Sequence, residues 1–249
     1  MKRTFVTTIA ATGLMAGLAA TSTDTSPTKK TAETKPHWKS SISAGLTLTR
    51  GNKNTTLVTA DFLTQKKTLT DEFLLGAGFA YGRQDDQDTV NNYKGFIQWN
   101  HLFSQRFFGY LRADGLQDRI KDIDYRVNVG PGVGYYLIKE TNTSLALEGG
   151  VGFEAQRLGG ESQNFATLRL ADRFEHKFGE RARLWQSCEI QSQVDGLENF
   201  VVNFEIGLET AITKSFSQKT YLVDSYANRP ATGRVKNDIK LVAALAYKF

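Results

Sequence analysis

Asp61, Arg112, Asp114, Arg126, Glu148, Glu154, Arg169, Arg173, Glu189, Glu205, Asp224 and Asp238 are the residues best placed to do chemistry, because alternation along the chain assigns them all to one polar face. Their signs are mixed. A wide selective conduit biases its lining toward one charge, whereas mixed charges on a shared inner face pair and fill the space between them. Other chemistry is sparse. His37, His101 and His176 are scattered along the chain, and Cys188, the single cysteine, has no histidine near it in sequence. Asp85, Asp86 and Asp88 make an acidic turn that reads as a solvated hairpin end rather than a cation site. No serine, histidine and carboxylate constellation with the spacing of an activated nucleophile emerges, so the expectation is no enzyme, no cofactor and no bound metal.

The elements that would carry these charges are strands. From Trp38 onward about twelve segments alternate with period two, separated by short clusters of Gly, Asp, Asn, Ser, Lys and Glu, and no helical period appears. Phe73, Leu75, Ala77, Phe79 and Tyr81 oppose Leu74, Gly76, Gly78, Ala80 and Gly82. Phe200, Val202, Phe204, Ile206 and Leu208 oppose Val201, Asn203, Glu205, Gly207 and Glu209. Each segment reaches the roughly 9 to 11 residues that a tilted transmembrane strand needs. Strands of soluble sheets average about half that length.

Parity alone does not say which face is inside. Aromatics near segment ends, Trp38, Tyr81, Tyr93, Trp99, Tyr135, Tyr221 and Tyr247, read as interfacial girdles. Short connections leave no element to cover an apolar face, so that face must meet lipid. The fold expected is all-β: a closed, antiparallel, up-and-down transmembrane β-barrel of about twelve strands, with both ends of the barrel domain on the periplasmic side. Pro131 lacks the amide that a closed barrel uses, so a bulge at Gly130 to Gly132 is expected.

The N-terminus carries an address. Lys2 and Arg3 precede an apolar run from Val6 to Ala20 and small residues around Ala19, Ala20 and Ser22, which reads as a secretory signal peptide over 1–22. Residues 23–37 read as a disordered leader and 38–249 as the barrel. The formal charge of +5 falls by two, to +3, when Lys2 and Arg3 leave, and acids alternate with bases throughout. That is not a nucleic-acid signature. The closing segment places Leu241, Leu245, Tyr247 and Phe249 on one face, the pattern expected of a barrel's last strand and of the signal read by the outer-membrane barrel-assembly machinery.

Trp38 with the turn at Arg50, Gly51 and Asn52, the strand from Phe107 to Arg119, Gly130 to Tyr135 (GPGVGY), and Asp238 with the strand through Tyr247, Lys248 and Phe249 resemble the salt-induced outer membrane proteins. The resemblance implies an outer-membrane barrel of a Gram-negative bacterium with no settled activity and no catalytic residues to carry over. The expected role is an envelope structural or stress-related component with a mostly side-chain-filled lumen. A narrow pore for ions or small solutes is the alternative, and a lipid-acting enzyme the remote one. Expected partners are outer-membrane lipid, the assembly machinery and, for the pore, a small solute.

Overall fold

A computed structural model describes residues 37–49 and 55–249. The signal peptide, nearly all of the leader, and the turn at Arg50, Gly51 and Asn52 lie outside the described residues. Twelve strands follow in chain order: β1 (Trp38–Thr49), β2 (Thr55–Lys67), β3 (Asp71–Gln84), β4 (Gln87–Leu102), β5 (Phe107–Asp118) and β6 (Ile123–Lys139) in the first half. The second half holds β7 (Thr143–Leu158), β8 (Glu161–Phe178), β9 (Ala182–Gln193), β10 (Gly196–Ala211), β11 (Phe216–Ala227) and β12 (Asn237–Lys248). Each pairs antiparallel with its chain neighbours, and β1 pairs with β12 to close the barrel. The expected fold and strand number are both found.

Closure is uneven around the wall. β1 and β2 pair over twelve positions from Trp38–Lys66 to Thr49–Thr55, whereas β1 and β12 pair over four, from Ser41–Lys248 to Ala44–Leu245. Two backbone bonds between Ser40 and Phe249, at 3.0 and 3.1 Å, extend this seam at the end that holds Trp38 and Phe249.

The barrel is built inside out relative to a soluble protein. Buried positions are mostly polar or charged, among them Glu148, Arg169, Glu189 and Glu205, while Ile97, Leu111, Val133, Phe153 and Leu241 stand exposed on the outer wall. A continuous apolar surface of this kind is matched to hydrocarbon rather than water. Aromatics rim its edge at the Trp38 and Phe249 end: Phe73 stacks on Trp99 at 6.4 Å, Phe103 meets Phe107 at 5.7 Å, and Tyr247 lies between Phe216 and Phe249. Trp99 donates its indole N–H to Asp71 at 2.9 Å, so the ring faces lipid while its polar edge finds a partner.

Two local expectations are corrected. No bulge forms at Pro131: the β6–β7 register is the same on either side, Val129 opposite Phe153 and Gly132 opposite Gly150, and the ladder simply drops its pairs at Gly130 and Pro131. Gly130 makes this feasible, since a Cβ there would lie 2.5 Å from the Gly152 Cα. Tyr221 is not an interfacial aromatic either. It faces the lumen and donates its hydroxyl to Asp61 at 3.2 Å.

The acidic turn has a conformational explanation. Asp85 and Asp86 both adopt positive φ, 47° and 65°, in a two-residue hairpin of the kind that short polar side chains tolerate. Asp88 belongs to β4, accepts from the Tyr81 hydroxyl at 2.9 Å and faces Arg83 at 3.4 Å.

Candidate functional site

Eleven of the twelve charges assigned to the lumen face it: Asp61, Arg112, Asp114, Arg126, Glu148, Glu154, Arg169, Arg173, Glu189, Glu205 and Asp238 alternate in step with the buried face of their strands. Asp224 does not. In β11 the inward residues are Ser217, Lys219, Val223 and Ser225, so Asp224 stands on the outer wall, between Phe204 of β10 and Ile239 of β12.

The inward charges assemble into a layer across the middle of the barrel. Arg169 reaches Glu148 at 2.9 Å and Glu189 at 2.6 Å, and Arg173 pairs with the other oxygen of Glu148. Gln98 links this group to a second one by donating to Glu148 at 3.3 Å and accepting from Arg112 at 2.8 Å. Arg112 also pairs with Asp114 at 2.5 Å and lies 4.5 Å from the Phe96 ring centroid. These bonds matter because they join strands that are not neighbours in the wall. Gln98–Glu148 joins β4 to β7, the 3.0 Å bond from Arg169 to the Tyr110 hydroxyl joins β8 to β5, and the 3.0 Å bond from the Tyr136 hydroxyl to Glu72 joins β6 to β3.

Glycines let bulky side chains lie against the inner wall. Phe108 covers Gly134, Tyr110 covers Gly132 and Gly150, and Trp185 covers Gly207, each so closely that a Cβ would overlap the ring. Trp185 then donates its indole N–H to Glu205 at 2.7 Å. Toward the end that holds Trp38 and Phe249, Arg183 joins Glu175 at 3.0 Å and Glu209 at 2.6 Å. The expected lumen charges omit Glu72, Glu175 and Arg183, and also Glu209 although it shares the polar face of Glu205; the same alternation marks all four.

Above the ionic layer lies a vestibule. It is a cavity of about 200 Å³ whose strand-borne cations are Lys94, Arg112 and Arg126, and whose acids are Asp114, Glu154 and Glu189. Its walls also carry the amides of Asn128, Gln156, Gln191 and Asn203. Arg126 pairs with Glu154 at 3.2 Å and donates to Gln156 at 2.7 and 2.9 Å.

The connection from β11 to β12, residues 228–236, roofs this vestibule and was expected to be a shorter turn at Arg229 to Gly233. Its base is anchored by Arg229 on Glu198 at 2.9 Å. Its far side crosses the mouth, where Arg234 pairs with Asp122 at 2.7 Å. Beneath it, Lys121 pairs with Asp238 of β12 at 2.8 Å, so two ion pairs tie this corner to the β5–β6 hairpin on the opposite side of the barrel. Pro230 and the positive-φ Gly233 were the signals that this segment is neither strand nor tight turn.

Among the described residues no group of three or more His, Cys, Asp or Glu side chains is arranged to hold a metal ion. Cys188 points outward from β9, opposite Asp172 and Phe204.

A closed, twelve-stranded, antiparallel barrel with an apolar exterior and a charged interior defines an outer-membrane transmembrane barrel. The chain belongs to the family described as a protein of unknown function, DUF481, whose model matches residues 42–249. It is similar in fold to an outer membrane channel from Pseudomonas putida F1, with TM-score 0.52 and 10% identity over 85% of this chain and 95% of that one. It is likewise similar to the NanC porin, with TM-score 0.51 and 8% identity over 84% of this chain and 98% of that one. No curated protein sequence matches the chain.

Proposed function

We propose that this chain is a structural barrel of the Gram-negative outer membrane whose lumen is shut at rest by its own side chains, and that it serves the envelope without catalysing a reaction. The observation that supports this reading is the ionic layer joined through Gln98, Glu148, Arg169 and Tyr110. It ties non-neighbouring strands together across the lumen, each acid meeting a guanidinium or an amide. A barrel of twelve strands is narrow enough for side chains to fill much of its interior. The outward Leu241, Leu245, Tyr247 and Phe249 are the surface this barrel offers to lipid and, during insertion, to the assembly machinery.

Conductance tests the reading. Refolded protein in a planar bilayer should be silent, and the double substitution Glu148→Ala with Arg173→Ala should produce channels by clearing the layer. Steady channels from the unsubstituted protein would overturn closure. The vestibule favours a second reading, a narrow solute pore, since an inert plug has no need of a roofed cavity on its outer side. Under that reading the unsubstituted protein conducts, and plugging substitutions at Arg112 or Glu205 stop it.

A further inference from the structure

The roofed vestibule has an uneven charge balance. Each of its three acids is already held by an arginine: Asp114 by Arg112 at 2.5 Å, Glu154 by Arg126 at 3.2 Å, and Glu189 by Arg169 at 2.6 Å. Of the remaining lining cations, Lys121, Arg229 and Arg234 pair with Asp238, Glu198 and Asp122, which leaves Lys94 and Lys236 without an ion pair among the described residues. Lys94, carried by β4 into the cavity, makes no ion pair or hydrogen bond among the described residues. The carboxylates that act on it across the lumen are Asp61 and Glu205, which accept from the Tyr221 hydroxyl and the Trp185 indole, remain charged, and balance Lys94 at a distance rather than by contact. Lys236, on the roof, has a 3.4 Å contact to an amide oxygen of Asn228.

Between these lysines the wall carries the paired charges, amides and hydroxyls that donate and accept hydrogen bonds without charge, and apolar side chains such as Phe96, Leu116 and Phe165. Such a mixed wall suits a ligand that presents hydroxyls at its edges and C–H faces between them, as a sugar ring does. At about 200 Å³ the space is below the roughly 300 to 1,000 Å³ of drug-sized pockets, which restricts the occupant to one small unit.

We propose that the vestibule is a binding site for a small hydroxylated solute carrying one carboxylate or phosphate, with Lys94 as the anchor for that charge and the amides of Gln156 and Gln191 facing its hydroxyls. The site rests on the barrel reading above but not on whether the barrel conducts. The charge it recognises is common to sugar acids and sugar phosphates, and an ammonium with three rotating donors takes either.

Titration calorimetry on the refolded barrel in detergent tests this, using glucuronate, glucose 6-phosphate and neutral glucose as probes. At least one of the two anions should bind saturably, with glucose weaker by about tenfold or more, as expected for the loss of a charge-assisted bond. Lys94→Gln should remove that preference and Lys94→Arg should keep most of it. Glucose binding as tightly as the anions, silence toward both anions, or an unchanged preference in Lys94→Gln would overturn the site. Heat-modifiable migration of the same sample keeps the two readings apart: protein that lacks it has failed as a barrel, whereas protein that shows it and still does not discriminate has failed as a binder.

Discussion

At the scale of single residues, the same side chain has opposite consequences on the two faces of the wall. Glu148 is 4% exposed and holds Arg169 and Arg173 together. Asp224 stands on the outer wall with one oxygen that lacks a hydrogen-bond partner. Glu148→Leu strands two buried guanidinium groups and should lower stability by about 3 to 5 kcal/mol. Asp224→Leu removes a carboxylate from the lipid face and should raise stability by about 1 kcal/mol. Urea titration of the refolded protein in lipid vesicles reads both, and shifts of the same sign would contradict the assignment of faces. This division was legible wherever apolar and polar residues alternate cleanly, as in β10. It failed in β11 because Tyr221 and Val223 are as apolar as Leu222, so parity there rested on an aromatic taken to be interfacial. What turned Tyr221 inward was a partner, Asp61, distant in sequence, and no local pattern encodes that.

At the scale of elements, the periodicity marks strands well and says little about what the connections do. The alternation expected to run from Asp71 to Gln84 coincides with β3, because register in a wall with two unlike faces is fixed by the alternation itself. The β11–β12 connection was read too short because Arg234 and Lys236 continue an alternation that β12 does not adopt until Asn237. Its position over the mouth depends on Asp122, more than a hundred residues earlier in the chain. Asp122→Ala should therefore release the roof. Arg234 and Lys236 are trypsin sites within it, so limited trypsin digestion of the refolded variant should cut the 228–236 segment several-fold faster than in the parent. Equal rates would mean that the Arg234–Asp122 pair, whose partners are both exposed, does not hold the roof down.

At the scale of the whole molecule, closure was legible and the contents of the barrel were not. Twelve alternating segments with short connections leave few ways to satisfy every backbone group in hydrocarbon, and a closed sheet is the available one. Which luminal side chains meet depends on strand tilt and stagger, quantities that have no local signature. The seam between β1 and β12 is one outcome of that geometry. Its four residue pairs, against twelve between β1 and β2, give the barrel a single thin joint in an otherwise continuous hoop. Thermal opening of a hoop concentrates where the fewest bonds must part together, so the amides of β1 beyond Ala44 should exchange with deuterium sooner than those of β6 and β7 at the far side of the ring. Uniform protection around the circumference would count against it. A barrel that breathes at one joint has a built-in direction: its opening faces sideways into the bilayer, at right angles to the roofed mouth.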